Sequence, residues 1–177
     1  PKLDVKSKKP YLFIDLADPE KRIPSEVKNA LLLLKQFNQH FNVVLGLNKK
    51  EAYDIANIFG SLDPNASLEA VNRFLHQQLH IHGVVIHPVD QASAIIDDTF
   101  VHDMGPLAKN PILTTGAGDN FNAGFMFGLT IGLEAYDALL LGMATSGFYV
   151  RQARSPHYDE LIDFLIAWEN NTLSLKE

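Results

Sequence analysis

Cysteine is absent from this 177-residue sequence. Disulfides and thiolate metal sites are therefore excluded, and the composition fits a reducing compartment, so a soluble, cytoplasmic protein is expected. No apolar run approaches the ~20 residues of a membrane span, and the basic start PKLDVKSKKP is not followed by a signal-type apolar stretch. No membrane partner is expected. A basic stripe is missing too: 15 Lys and Arg are interspersed with 21 Asp and Glu for a formal charge of −6, which argues against nucleic acid. The chain also lacks GxxxxGK[ST], and lacks a GxGxxG after a strand. The ordinary P-loop and the dinucleotide fingerprint are both excluded. No internal repeat, low-complexity tract or interdomain linker interrupts the pattern.

What is present is a hydrophobic content of 46%, enough to fill a sizeable core, in a length that suits one domain or a large part of one (roughly 100–200 residues). YLFID at 11–15, NVVLGL at 42–47, GVVIH at 83–87, SAIID at 93–97 and TFVHDM at 99–104 read as short strands. Between them, Val27, Leu31, Leu34 and Phe37 recur at helical spacing from Ser25 to His40, with Pro24 at the entry. KKEAYDIANIF at 49–59 reads as the next helix, and after the turn cluster SLDPNAS, Ser67 can cap another reaching about Leu79. Three further helices are expected near 117–131, 134–151 and 156–169. Strands alternating with helices imply an α/β fold whose mainly parallel sheet is covered on both faces. Gly128 and Gly132 form GxxxG, read here as close packing of a helix on the sheet rather than a membrane dimer motif.

The stretch LTTGAGDNFNAGF, Leu113 to Phe125, carries the chemistry. Gly116 and Gly118 admit backbone conformations closed to other residues and leave room for a ligand at the main chain. The helix that follows opens with N–H groups lacking intrahelical partners and with the positive end of the dipole, which makes an anion site. Asp119 would repel a bound phosphate unless it has a task, such as accepting the proton of a hydroxyl that attacks phosphorus. The plainer reading is that Asp119 sits in the first turn because the dipole favours carboxylates there, by about 0.3–1 kcal/mol. Asn48 and Glu51 also admit two readings: a capping box opening a helix, or a carboxylate placed to organise Mg²⁺ and its waters. His76, His80 and His82 invite thoughts of metal, but no carboxylate accompanies them at ligand spacing and a polar helix face is expected.

TTGAGDNFNAGFM resembles the C-terminal signature of the ribokinase-like (PfkB) carbohydrate kinase family, and NKKE the family's NxxE motif. The resemblance implies a three-layer α/β/α fold with a mainly parallel central sheet, and ATP-dependent transfer of the γ-phosphate to a hydroxyl of a sugar or nucleoside. On that footing Gly116, Ala117 and Gly118 supply N–H groups to the phosphoryl group, Asp119 is the base, and Asn48 and Glu51 organise the phosphates and, through water, Mg²⁺. Thr115, Ala144 and Gly147 are expected to contact the nucleotide, with the segment 144–155 bordering adenine. The small residues Ala123 and Gly124 allow close packing of the helix. FIDLADPEKR likewise resembles a family strand ending in an aspartate, so Asp15 and Arg22 are expected to line the cleft, an ordinary turn and a solvated charge being the alternative.

Three departures stand out. Leu113 replaces an acidic or polar residue associated in several members with a monovalent cation, and Ala153 replaces a common glycine, so potassium activation is doubtful. VVIHPVDQAS around His87 lacks the glycines of the family's nucleotide-bordering hairpin. The expected organisation is a single unit, 1–177, corresponding to the C-terminal nucleotide-binding and catalytic part of such a kinase, without the N-terminal sugar-contacting and lid portion and with an exposed sheet edge. The expected partner is a small-molecule sugar or nucleoside, with a homodimer left open. Two rivals are a non-catalytic nucleotide- or sugar-binding sensor of the same fold and a purely structural role.

Overall fold

The computed structural model describes residues 9–16, 19–60, 62–63 and 65–173. The basic start, Ala17 and Asp18 of the first loop, and Ser61 and Pro64 of the turn cluster lie outside them. Five strands form one mixed sheet in the order β1-β2-β3-β4-β5: β1 Tyr11–Asp15, β2 Asn42–Leu47, β3 Gly83–Ile86, β4 Gln91–Ile96 and β5 Thr99–Met104. By contact density the chain divides into two compact units, 1–85 with 95–98, and 86–94 with 99–177.

In the first unit β1 and β2 run parallel, with Tyr11 opposite Asn42 and Asp15 opposite Gly46. The crossover is α1, Pro24–Phe37, which opens on a proline and buries Val27, Leu31 and Leu34. The expected stripe loses its last member, because Phe37 is about half exposed and the helix stops there rather than at His40. Asn38 stands at that end: its N–H closes the last turn on Leu34 O (2.9 Å), while its Oδ1 accepts from Val43 N of β2 (3.2 Å) and from His82 N just before β3 (2.9 Å). β2 follows with Val43, Val44, Leu45 and Leu47 fully buried. The next helices are α2, Lys49–Phe59, and α3, Leu68–Leu79, the latter capped as expected by Ser67 Oγ accepting from Ala70 N at 3.2 Å.

β3 ends one residue short of the expected His87, and β4 starts two residues early at Gln91 and stops at Ile96. The turn from β4 to β5 is Asp97–Asp98, both at positive φ (48° and 63°), as a two-residue type I′ connection requires.

The second unit is dominated by α4, Ala117–Ile131, α5, Ala135–Gln152, and α6, Tyr158–Glu169. Glycines let α4 and α5 approach: a Cβ on Gly124 would lie 2.8 Å from Leu141 O, and one on Gly128 would lie 2.9 Å from Ala138 Cα. The GxxxG pair is thus corrected in two ways. Gly128 packs on a helix and not on the sheet, while Gly132 meets nothing and serves as the left-handed cap of α4 (φ 90°). Ala123 is exposed, so of the expected small pair only Gly124 is used in packing. Phe148 and Phe164 join Ala144 in a cluster between α5 and α6. No helix among the described residues is long and apolar enough to cross a membrane.

Candidate active site

α4 begins without a side-chain cap. Gly116 is its N-cap residue in the left-handed region (φ 88°, ψ 1°), and a Cβ there would lie 2.9 Å from Tyr149 Oη, so both backbone and space demand glycine. The carbonyl of Gly116 accepts from Asn120 N (3.1 Å) and Asn120 Nδ2 (2.9 Å). Ala117 N donates to Thr114 O at 3.1 Å. The expectation that Ala117 offers its N–H to an anion therefore meets an obstacle, since the turn itself uses that group. The N–H groups of Gly116, Gly118 and Asp119 have no protein acceptor among the described residues, as the opening of an uncapped helix dictates. Asp119 is exposed in the first turn.

His87 lies against this turn. A Cβ on Gly118 would be 3.3 Å from His87 Cε1, and the imidazole stacks on Phe121 with centroids 4.7 Å apart. Burial pushes the imidazole down to about 4, opposed by a hydrogen bond to its own backbone and by the charge of Asp119. Its Nε2 is buried without a partner. Sequence reasoning treated His87 only as a departure from a glycine pattern. The available signal was its position just past a strand's carboxyl end, where ligands of open α/β sheets bind.

Tyr149 was missed as well. Its hydroxyl donates to Thr115 O at 2.8 Å. Arg151, two residues further along α5, donates from Nη1 to Pro106 O and Gly147 O (both 2.9 Å) and from Nη2 to Leu107 O (3.1 Å). The loop before the glycine turn is thereby tied to α5. Ala144 is fully buried, and Gly147 faces Pro106 and Phe164 at distances that a Cβ would violate. Both belong to the packing, not to a surface. Leu113 is exposed, and Ala153, where glycine is common in the family, holds a left-handed conformation (φ 53°).

In the first unit, Asn48 and Glu51 form the capping box in full. Asn48 Oδ1 accepts from Glu51 N and Glu51 Oε2 accepts from Asn48 N, each at 2.9 Å, and Glu51 is buried. Asp15 and Arg22 both lie in the wall of a largely apolar cavity of about 420 Å³. The histidines fare differently from expectation: Asp97 and Asp98 join His76, His80 and His82 around one cavity, with His76 Nδ1 3.8 Å from Asp98 Oδ1. Spacing along the chain could not show this, because the carboxylates come from the β4–β5 turn. Still, no three of these groups among the described residues converge on a metal position.

A family model described as prokaryotic ketohexokinase matches residues 5–168. The chain belongs to the prokaryotic ketohexokinase family. Over 154 residues it is 29% identical to the ketohexokinase of Haloferax volcanii, covering 86% of this chain and 40% of that one. Among solved structures it resembles the ribokinase of Thermotoga maritima (TM-score 0.65, 21% identity, 87% of this chain and 48% of that one). It also resembles a putative ribokinase II from E. coli in complex with ATP and Mg²⁺ (TM-score 0.57, 17% identity, 82% and 44%). These likenesses establish the ribokinase-like three-layer α/β fold. The chain spans 40% of the length of its ketohexokinase relative and under half of each of these two structures.

Proposed function

We propose that the protein carrying this chain is an ATP-dependent sugar kinase that moves the γ-phosphoryl group to a hydroxyl of a ketohexose, and that residues 1–177 form its C-terminal, nucleotide-binding and catalytic part. The observation that carries this reading is an uncapped helix start at Gly116, with unpartnered N–H groups and a carboxylate in its first turn, in a chain of the prokaryotic ketohexokinase family. The N–H groups of Gly116 and Gly118 hold the phosphoryl oxygens as charge develops, and that of Asp119 completes the anion hole. The Asp119 carboxylate accepts the proton of the acceptor hydroxyl. That oxygen bonds to the γ-phosphorus as the bond to the β,γ-bridging oxygen breaks, and ADP leaves.

Mg²⁺, when bound, neutralises charge on the phosphates and keeps most of its water shell. Glu51 is the residue assigned to those waters and Asn48 to the phosphates, a role that their mutual cap would orient. Thr115 borders the phosphates. Within the segment 144–155 that borders adenine, Ala144 and Gly147 act by packing. The molecule works as a soluble cytoplasmic enzyme. A second reading, a non-catalytic sensor of nucleotide or sugar, draws on Leu113 and His87, which depart from the family pattern.

The test is Asp119→Asn in the full-length polypeptide, assayed with a ketohexose and Mg·ATP. Turnover should fall about 10²–10⁴-fold while calorimetry shows nucleotide binding preserved. Turnover near the parent rate would sink the base assignment, and a parent that binds but never turns over would favour the sensor.

A further inference from the structure

We propose that Tyr149 is a positioning residue that aims the Gly116 N–H into the anion site. The proposal rests on the kinase reading above. The atoms C=O of Thr115 and N–H of Gly116 belong to one planar peptide, so fixing the direction of the carbonyl fixes the N–H on its opposite side. Tyr149 Oη donates to that carbonyl at 2.8 Å across a sequence separation of 34 residues. The N–H so directed has no protein acceptor among the described residues. A Cβ on Gly116 would lie 2.9 Å from the same Oη and 3.4 Å from Cζ, so the phenol backs the turn closely as well as binding it.

A second pin holds the next peptide, whose N–H on Ala117 is kept by Thr114 O, so it braces the turn around the Gly116 donor rather than aiming a donor of its own. Asn120 Nδ2 donates to Gly116 O at 2.9 Å, and Asn120 Oδ1 accepts from Ser155 Oγ at 2.8 Å. Two successive carbonyls of the turn are therefore held by side chains, one from α5 and one braced by the residue just beyond it. Donors that are already aimed need no reorganisation when charge develops on the phosphoryl oxygens, and this is where such a residue contributes. The hydroxyl itself touches neither substrate nor phosphate.

The experiment compares Tyr149→Phe, Ser155→Ala and Asp119→Asn in the full-length polypeptide. Tyr149→Phe should lower kcat about tenfold, the scale of one lost hydrogen bond, with the ketohexose KM within about twofold. On titration with Mg²⁺ and a non-hydrolysable ATP analogue that retains the γ-phosphate, the Gly116 amide resonance should shift in the parent and shift less in Tyr149→Phe, a readout that a merely structural role would leave alone. Ser155→Ala should show a smaller loss of the same kind. A Tyr149→Phe enzyme with parental kcat, or one whose loss only tracks unfolded protein with an unaltered Gly116 response, overturns the proposal. If Asp119→Asn is inactive while Tyr149→Phe is parental, only this inference falls. If Asp119→Asn is also parental, the base assignment falls with it, whereas a parent that binds Mg·ATP but never turns over removes the kinase reading itself.

Discussion

Two helices of this chain begin in opposite ways. α2 closes its own N-terminus: Asn48 and Glu51 satisfy one another's backbone N–H groups at 2.9 Å. α4 begins at a left-handed glycine with no side-chain cap and leaves its first donors for something other than protein. A helix that caps itself gains stability of about 0.5–2 kcal/mol; one that does not forgoes it and leaves N–H groups free to face an anion. The contrast separates a helix end that closes on itself from one left open, as the proposed anion hole requires, and it was drawn by two short motifs, NKKE and TTGAGD.

The largest effect should come from closing the open end. Gly116→Ala forces a side chain into positive φ and against Tyr149 Oη, costing about 1–2 kcal/mol from the backbone alone. It should also reduce turnover by about a hundredfold or more by displacing a donor. Steady-state kinetics beside a denaturant titration check both, and parental kinetics would break the comparison.

The next effect is electrostatic. A positive charge on His87 would sit against the positive end of α4, in a pocket where burial already disfavours it. The folded imidazole titrates near 4 and the unfolded one near 6.5, so the unfolded chain binds more protons between those values. The contribution is complete above pH 6.5 and is lost as pH falls towards 4, of order 1–3 kcal/mol. Unfolding free energies at pH 7 and pH 4.5 should differ less in His87→Phe than in the parent, and an equal difference would remove His87 as the cause.

The smallest effects belong to the closed end. Asn48→Ala should cost about 1 kcal/mol through loss of the cap. Glu51→Gln keeps an acceptor suited to a capping box and should leave the melting temperature nearly unchanged. If Glu51 also orders Mg²⁺ waters, calorimetry will show weaker Mg·ATP binding in Glu51→Gln even though its cap is kept. An unchanged affinity would leave α2 a purely structural counterpart to α4.

Much of the fold was legible because its signals are local. YLFID, NVVLGL and TFVHDM are strands over the expected ranges, and α4 starts at Ala117 as expected, just past Gly116. The errors arose where a distant partner decides. The helix that Phe37 was expected to continue ends there, where Asn38 ties to Val43 and His82, and Gly128 answers to Ala138 rather than to the sheet. The site divides the same way. Its motifs could be read along the chain, whereas Tyr149 and His87 reach the turn from 30 or so residues away and carry no pattern linking them to it. The Asn48 and Glu51 motif was legible in both its senses, and the cap is the one now visible.

The two aspartates at the β4–β5 turn bear on how the chain reaches its fold. A two-residue connection with both backbones already left-handed lets that hairpin zip in ~1–10 μs, with almost no loop to close. The parallel pair β1 and β2 has no such shortcut, since its strands meet only after the chain has passed through α1 and returned. Pairing at such sequence separation delays folding, so the β4–β5 ribbon should be in place first, and the edge near Tyr11 should be the last part of the sheet to acquire protection from hydrogen exchange.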